Sequence, residues 1–477
     1  MKQKIISILS ILALLSLVTF CSKKSNNDDN LLLLGLFALS QNIPVRSAAE
    51  LTNESSENYA DNNWGLIEHS TLQRWVGNWA TEKPGHIPQD GKLIILQLNS
   101  AAKPGSANYV QSKPQENVYT FALDEFRFNE QRNNGLISET VVYQASGSRT
   151  DQWLSAYGIN LSKDLVVFAN GLGTNASVQD LARGVYWLRY WGADIKNLAL
   201  LNGNLNVNYN GTLVADPTSR NTVSNNGFSV KQLRVDNTIL TLALEDILKI
   251  VDSGSRTSDI SGISSTQLIV DARPSVQFNR ATNGHNFADN TTVDTGGQYI
   301  TTSWASSGPP GGGVAKTFVL SEGHLPGAKT FPWADLLQAA GTGFKYKTKA
   351  ELRTLFANAG YTQGTTVVSQ CRTNFEAQVN GFASQNILGY PSVFYDGSLV
   401  EWTSLVSNYP DPSGDIINLS PSDPAFAFRT DIIGRRSDNF SYNRNNVGGQ
   451  TRVRQARVNR NATTTRLLQN EDKAYKR

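Results

Sequence analysis

The sequence is poor in the residues that build disulfides and metal sites. Its 477 residues include two cysteines, four histidines and one methionine. The histidines lack the spacing of metal ligands, so we expect neither a metal nor another cofactor. Cys21 closes an N-terminal apolar segment and Cys371 follows a strand-like run, so a structural disulfide between them is not expected. Cys371 is therefore interpreted as a free, usable thiol.

The chain also lacks a strong excess of either charge. Lys and Arg number 43 against 40 Asp and Glu, a formal net charge of +3, so no dedicated nucleic-acid surface is expected. With 39% hydrophobic and 17% charged residues, the chain has the composition of a globular protein. Its length suits two or three domains of ordinary size. We expect a monomer.

The N-terminus has the pattern of a bacterial export signal. A basic start is followed by an apolar segment, Ile5 to Val18, and then by Val18-Thr19-Phe20-Cys21, which resembles a lipobox. Residues 1–20 are therefore predicted to be a lipoprotein signal peptide, Cys21 a lipid anchor, and residues 21–58 a tether. The body would then be lipid-anchored in the bacterial cell envelope, at the inner or outer membrane and on its periplasmic or surface face. Phe20 is larger than the usual residue before the cysteine, so an uncleaved signal anchor is the alternative.

The body alternates short aliphatic runs with helical periodicity, which predicts a parallel α/β architecture. Helices are expected at Val178 to Tyr190, Ile239 to Val251 and Glu376 to Ile387, and residues 202–226 are interpreted as a linker or loop. Strands are predicted at Leu93 to Leu98, Leu165 to Ala169, Leu198 to Leu201, Leu268 to Asp271, Thr366 to Ser369, and Ser392 to Tyr395. The repeated order of strand, helix and strand indicates an internal duplication.

Two segments depart from this pattern. Residues 281–317 are rich in Gly, Asn, Thr and Ser and are interpreted as a surface excursion. Residues 411–477 scatter arginines among Asn, Thr, Ser and Gln, which predicts a disordered, basic, low-complexity tail. Such a tail is either simply solvated or contacts anionic lipid or glycan at the envelope.

Five segments together resemble the thiosulfate/3-mercaptopyruvate sulfurtransferases, which have tandem rhodanese domains. The segments are Ala182 to Gly192, Leu268 to Pro274, Gly323 to Trp333, Val367 to Ala377, and Tyr395 to Trp402. The resemblance implies two doubly wound parallel-sheet domains, at residues 59–230 without a catalytic cysteine and at residues 231–410 with it. It implies supporting roles for four residues around the site, namely Asp271, Arg273, His324 and Trp333.

The resemblance also implies a reaction. Cys371 would take a sulfane sulfur from a small-molecule donor as a persulfide and pass it to a thiol or cyanide acceptor. A cysteine between a strand and a helix N-terminus faces main-chain N–H groups, so we expect its pKa to be lowered from about 8.5. Arg372 would pair with an anionic donor, which favours thiosulfate over 3-mercaptopyruvate. The alternative role for Arg372 is an exposed helix cap.

The loop departs from the family pattern at two of its substrate-binding positions, which are Arg372, Thr373, Asn374, Phe375 and Glu376. Asn374 replaces the usual glycine, and asparagine tolerates the left-handed conformation that closes such a loop. Glu376 replaces a Thr, Ser or basic residue. Pointing inward, it would repel an anionic donor and oppose thiolate formation; pointing outward, it would favour the helix N-terminus.

Cys371 has two other interpretations. A cysteine phosphatase needs an arginine at the sixth position after the cysteine, and this chain has Ala377 there, which disfavours phosphate-ester chemistry. A free cysteine is also commonly a small buried hydrophobe. The chain would then be a catalytically silent rhodanese-like surface lipoprotein that binds an anion or a partner.

Overall fold

The computed structural model describes residues 43–98, 108–253, 258–278, 321–405, 409–442 and 458–477, with residues 124, 126, 139, 411–415, 418, 433, 436 and 437 left out. The signal peptide, Cys21 and the excursion at 281–317 lie outside these ranges. No helix among the described residues is long and apolar enough to cross a bilayer.

Short strands run through the whole described chain. In chain order they are β1 Gly65–Ile67, β2 Leu93–Leu98, β3 Tyr109–Val110, β4 Val118–Ala122, β5 Asn129–Arg132, β6 Thr140–Gln144, β7 Leu165–Asn170, β8 Leu198–Asn204, β9 Leu213–Val214, β10 Gln267–Asp271, β11 Ser321–His324, β12 Lys329–Thr330, β13 Thr366–Gln370, β14 Ser392–Phe394, β15 Tyr409–Pro410, β16 Ile416–Ile417 and β17 Asp438–Tyr442. The predicted strands are found within one to three residues of their expected ends.

The helices lie mostly between these strands. They are α1 His69–Gly77, α2 Trp79–Glu82, α3 Gly147–Ala156, α4 Ser177–Tyr190, α5 Leu205–Asn208, α6 Leu244–Asp252, α7 Ser275–Phe278, α8 Lys349–Asn358, α9 Glu376–Phe382, α10 Ser398–Thr403 and α11 Leu467–Lys476. A π-helical turn, Ala383–Ile387, continues α9, so the predicted helix to Ile387 is present with a change of winding. Helix α4 ends before Gly192, whose positive φ of 105° favours glycine.

Two parallel sheets form the framework, which confirms the predicted α/β class. The first has the strand order β1-β8-β7-β2-β4, and the second has the order β12-β10-β13-β14. Thr241 forms a parallel bridge with Phe394 and so lies beside β14, the edge strand of the second sheet. In the first sheet, β1 lies beside β8 in the same way. The two sheets therefore share one strand order, as the predicted duplication requires.

Aliphatic and aromatic side chains fill the space around both sheets. The strands β2, β7, β10 and β13 are buried along nearly their whole length, which is typical of central strands in a doubly wound fold. Residues Val45–Lys476 form one compact unit that contains both sheets. The division into domains at residue 230 stays a prediction.

Two predicted flexible segments are packed instead. Within the proposed tether, Ala48 and Leu51 are buried in the core, and Ser55 N–H donates a hydrogen bond to the Ile387 carbonyl at 3.0 Å. The prediction of a tether is therefore wrong for residues 45–58. Residues 202–226, interpreted as a linker or loop, include the end of β8, helix α5 and strand β9, and are irregular elsewhere.

The prediction of a disordered tail is wrong for residues 458–477. Helix α11 packs on the body through Asp472, a residue that is 1% exposed. The Asp472 carboxylate accepts hydrogen bonds from Arg132 at 2.7 and 2.9 Å and from the Tyr190 hydroxyl at 2.7 Å. A buried carboxylate with this set of donors ties the helix to the first half of the chain.

Candidate active site around Cys371

The Cys371 loop, residues 371–376, lies where the central strand of the second sheet ends. Strand β13 pairs in parallel with β10 on one side and β14 on the other, and α9 begins at Glu376. The carboxyl end of a central parallel strand is where doubly wound folds place their ligands. The β-branched residues Val367 and Val368 hold this strand in the core and so fix the position of Cys371.

The sulfur of Cys371 faces main-chain donors. Thr373 N–H donates to Cys371 Sγ over a nitrogen–sulfur distance of 3.4 Å. The N–H of Ala377, in the first turn of α9, is a second donor to this thiol. On the other side of the loop, Leu399 N–H donates to the Cys371 carbonyl at 3.3 Å. The cradle of N–H groups expected around the thiol is therefore present.

The ionisation of the thiol differs from the expectation. Cys371 has no exposed surface, and burial raises its pKa to about 12. The charges of Glu376 and Asp271 raise the pKa further, and the two N–H donors only partly oppose them. The expectation of a lowered pKa is wrong. Burial and the nearby carboxylates destabilise the thiolate of Cys371 by more free energy than two weak hydrogen bonds to sulfur stabilise it.

Glu376 points towards the sulfur and not to bulk solvent. Its side chain hydrogen-bonds with Cys371, and burial raises the pKa of its carboxyl group. Arg372 and Arg273 lower that pKa and so oppose the effect of burial. Of the two orientations left open by the sequence, the structure has the inward one. The site thus combines a thiol, two carboxylates and two guanidinium groups.

Asn374 closes the loop in the conformation expected for it. Its φ of 62° is left-handed, which asparagine adopts more readily than most residues. Its side-chain amide donates to Asp396 Oδ1 at 2.7 Å. The amide of Asn374 therefore fastens the loop to a buried carboxylate, a contact that glycine could not make.

Asp396 joins the loop to the first half of the chain. Its Oδ1 lies 2.5 Å from Arg183 Nη1, and both side chains are fully buried. Its Oδ2 accepts a hydrogen bond from Gln144 N–H at 2.9 Å. In the sequence, Arg183 and Asp396 stand out only as parts of motifs. The available signal was an arginine next to the apolar residues Leu181 and Val185 of the predicted helix, since an arginine buried there requires a partner.

Phe375 is held by two cations of the first half. The guanidinium carbon of Arg127 lies 4.4 Å from the centre of its ring, and that of Arg183 lies 5.5 Å away. Arg127 in turn pairs with Asp180 at 2.9 Å. Such cation–π contacts are stronger where water is excluded. Phe375 therefore anchors the loop and does not open onto solvent.

The four supporting residues lie around the base of the loop. Asp271 and Arg273 form an ion pair at 2.6 Å, and Arg273 also donates to the Gly323 carbonyl at 2.8 Å. His324 Nδ1 lies 3.0 Å from the Phe278 carbonyl. Trp333 is buried, and its main-chain N–H donates to the Ala272 carbonyl at 3.0 Å. These contacts are structural, and among the described residues no cluster of His, Cys, Asp or Glu could hold a metal.

Relatives of the chain share a short segment with it. No family model matches the chain. The sulfur carrier protein TtuD of Thermus thermophilus is 41% identical over 88 residues, 18% of this chain and 30% of that protein. A putative thiosulfate sulfurtransferase of Haloferax volcanii is 38% identical over 85 residues, 18% of this chain and 29% of that protein. The chain thus spans less than a third of the length of these relatives, and the segment supports the resemblance to sulfurtransferases.

Solved structures resemble the chain over a longer stretch but at low identity. A 3-mercaptopyruvate sulfotransferase of Escherichia coli with the rhodanese fold is 14% identical with a TM-score of 0.41, over 70% of this chain and 98% of that one. An anaerobic ergothioneine biosynthesis enzyme of Chlorobium limicola is 13% identical with a TM-score of 0.45, over 75% of this chain and 71% of that one.

Proposed function

Starting from the segment that this chain shares with sulfurtransferases, we propose that it moves sulfane sulfur through a persulfide on Cys371. The donor is a small anion and the acceptor a thiol or cyanide. The observation that carries the proposal is the placement of Cys371 Sγ against main-chain N–H groups at a strand-to-helix turn. The same donors that face the thiol would face the terminal sulfur or the departing anion of the reaction.

Sulfur transfer through Cys371 takes two displacements at sulfur after the thiol ionises. Cys371 first loses its proton to solvent. The thiolate then attacks the outer sulfur of thiosulfate, so that a sulfur–sulfur bond forms on Cys371 and the bond to the sulfite group breaks with both electrons leaving on sulfite. A thiolate or cyanide acceptor attacks the terminal sulfur of the persulfide and takes it as a persulfide or thiocyanate. Cys371 returns as the thiolate.

The charges at the site set the preference for the donor. Arg372 attracts an anion, which favours thiosulfate over 3-mercaptopyruvate, the less charged donor. Glu376 repels the same anion and raises the pKa of Cys371. The proposed enzyme therefore uses thiosulfate slowly at neutral pH, because deprotonation of the thiol limits the reaction.

Intact mass measurement tests the proposal. The protein is incubated with thiosulfate, and its mass is compared with that of an untreated sample and of the Cys371→Ser variant. We expect the parent protein to gain one sulfur atom and the variant to gain none. Equal adducts on parent and variant would place the sulfur elsewhere and contradict the proposal.

A second function, a silent protein of the same fold, is favoured by one observation. Cys371 is fully buried and its pKa is about 12, so the resting site holds a closed, neutral thiol. Such a protein would use the pocket to bind an anion or a partner without chemistry. No adduct with thiosulfate, 3-mercaptopyruvate or a small persulfide at pH 9, where more thiolate forms, would support this alternative.

The location is also a proposal. We infer from the lipobox-like segment that Cys21 carries a lipid and tethers a monomer to the bacterial envelope. Metabolic labelling with a radioactive fatty acid should mark the parent chain and fail to mark Cys21→Ala. Equal labelling of both chains would show that Cys21 does not carry the lipid.

A further inference from the structure

A hollow with a volume of about 330 Å³ lies beside the C-terminal end of α4. Its wall includes Arg46, Arg189, Asp194 and Arg234, and none of its lining residues belongs to the Cys371 loop. This volume is at the lower end of the range for ligand pockets in proteins. The hollow has room for a small ion and part of its hydration shell.

Arg189 is a buried cation in the wall of this hollow. Its side chain is 4% exposed. Nη1 donates to the Ala193 carbonyl at 3.0 Å and Nη2 to the Leu51 carbonyl at 2.8 Å. Nε has no hydrogen-bond partner among the described residues. Buried charges in proteins are normally paired with an opposite charge, and the bonds that hold this guanidinium end on neutral carbonyls.

The acidic group in the wall does not neutralise the hollow. The Asp194 side chain accepts a hydrogen bond from Lys196 N–H at 3.0 Å, so it caps a short helical turn. Burial lowers the pKa of Arg189 to about 10; the charge of Asp194 raises it, and that of Arg46 lowers it. Among the residues that line the hollow, three arginines stand against one aspartate.

A second buried cation lies behind the wall. Lys476 Nζ donates to the Trp191 carbonyl at 3.0 Å and also to the carbonyl of Val235, a lining residue. Burial lowers the pKa of Lys476 to about 8, the charge of Asp236 raises it, and the charge of Arg234 lowers it. Each of the two buried cations thus lies within the field of one arginine of the wall, Arg46 for Arg189 and Arg234 for Lys476.

We propose that this hollow binds a small tetrahedral oxyanion, of the phosphate or sulfate class, as the counter-ion of Arg189. Guanidinium groups suit this chemistry because their planar N–H groups match the oxygens of such anions. Arg46 is half-buried and Arg234 is exposed, and both line the hollow together with Arg189. The site is independent of the proposed sulfur transfer.

Thermal unfolding of the full chain in phosphate tests the site. Phosphate is titrated at constant ionic strength, with sodium chloride replacing it in the reference. A ligand that binds the folded state raises Tm with the logarithm of its concentration above Kd, here by a few degrees at about 100 times Kd. Glycerol 3-phosphate in a parallel arm separates a free anion from an esterified headgroup; stabilisation by phosphate alone assigns the former, and stabilisation by both admits the latter.

Variants of the wall locate the effect. Arg46→Gln combined with Arg234→Gln should weaken the apparent phosphate affinity tenfold or more, and Arg234→Gln alone, a change of an exposed residue, should weaken it by a smaller factor. Arg353→Gln removes an exposed arginine that pairs with Glu57 elsewhere and should leave the response intact. No stabilisation of the parent beyond that by chloride, or an equal response in parent and double variant, would overturn the proposal.

Discussion

The loops that follow the central strands of the two sheets occupy equivalent positions and differ in chemistry. Residues 171–176 follow β7, which lies between β2 and β8, and residues 371–376 follow β13, which lies between β10 and β14. Gly171 stands where the second loop has Cys371. The first loop thus occupies the place of a reactive site in its sheet and lacks the reactive atom.

The two loops are also held in different ways. In the first, the Asn170 side-chain amide donates to Asn204 Oδ1 at 2.6 Å, and Asn170 Oδ1 accepts a hydrogen bond from Gly173 N–H at 3.1 Å. Residues of the first half therefore hold this loop. In the second, Asn374 depends on Asp396, and Asp396 depends on Arg183 of the first half. The cysteine-free half therefore contributes the charge that fixes the Cys371 loop.

Removal of Arg183 is the strongest test of this dependence. Arg183→Met leaves Asp396 buried without its cation, and breaking a buried pair from one side costs about 3–5 kcal/mol. Denaturant unfolding should show that loss in the free energy of unfolding. Arg74→Met is the control, since Arg74 and Glu82 form an exposed pair worth up to about 1 kcal/mol. Equal losses in the two variants would mean that the first half does not hold the loop through this pair.

The pH dependence of persulfide formation separates the reactive loop from any exposed thiol. Because the pKa of Cys371 is raised to about 12, its thiolate fraction grows about tenfold per pH unit below that value. The rate of sulfur loading from thiosulfate, followed by intact mass, should rise about 100-fold from pH 7 to pH 9. A rate that levels off near pH 8 would show an ordinary or lowered thiol pKa and contradict the burial of the sulfur.

Replacement of Glu376 removes the carboxylate beside the thiol, a group that the first loop does not have. Glu376→Thr removes the like charge that raises the pKa of Cys371 and repels an anionic donor. A shift of one pKa unit would raise the thiolate fraction about tenfold at neutral pH. Thiosulfate turnover and the alkylation rate of Cys371 should therefore both increase. Glu82→Thr changes an exposed acid and should change neither the turnover nor the alkylation rate. An unchanged alkylation rate in Glu376→Thr would show that the Glu376 carboxylate does not affect the thiol.

Local patterns in the sequence predicted the framework of the fold. The strand at Leu93–Leu98 was recognisable as a short aliphatic run, and the helix ending at Tyr190 by its helical periodicity. Helix α11 was missed, since Asp472 is buried through Arg132, a partner 340 positions away in the chain. The thiol pKa was missed for a related reason. It depends on the direction of one side chain, Glu376, and on burial, and neither leaves a trace in local composition.

The smallest expected effect tests how the second loop is closed. Asn374→Gly keeps access to the left-handed φ of 62° and loses the amide bond to Asp396, whereas Asn374→Ala loses the bond and strains the backbone as well. Because a side chain at positive φ costs about 1–2 kcal/mol, the Ala variant should unfold about 1 kcal/mol more easily than the Gly variant. None of residues 171–176 has a positive φ, so Thr174→Ala, at the matching position of the first loop, should cost less than about 0.5 kcal/mol. Equal stability of the Ala and Gly variants would mean that the loop relaxes to another conformation once its amide anchor is removed, and that the contact with Asp396 holds the left-handed turn in place.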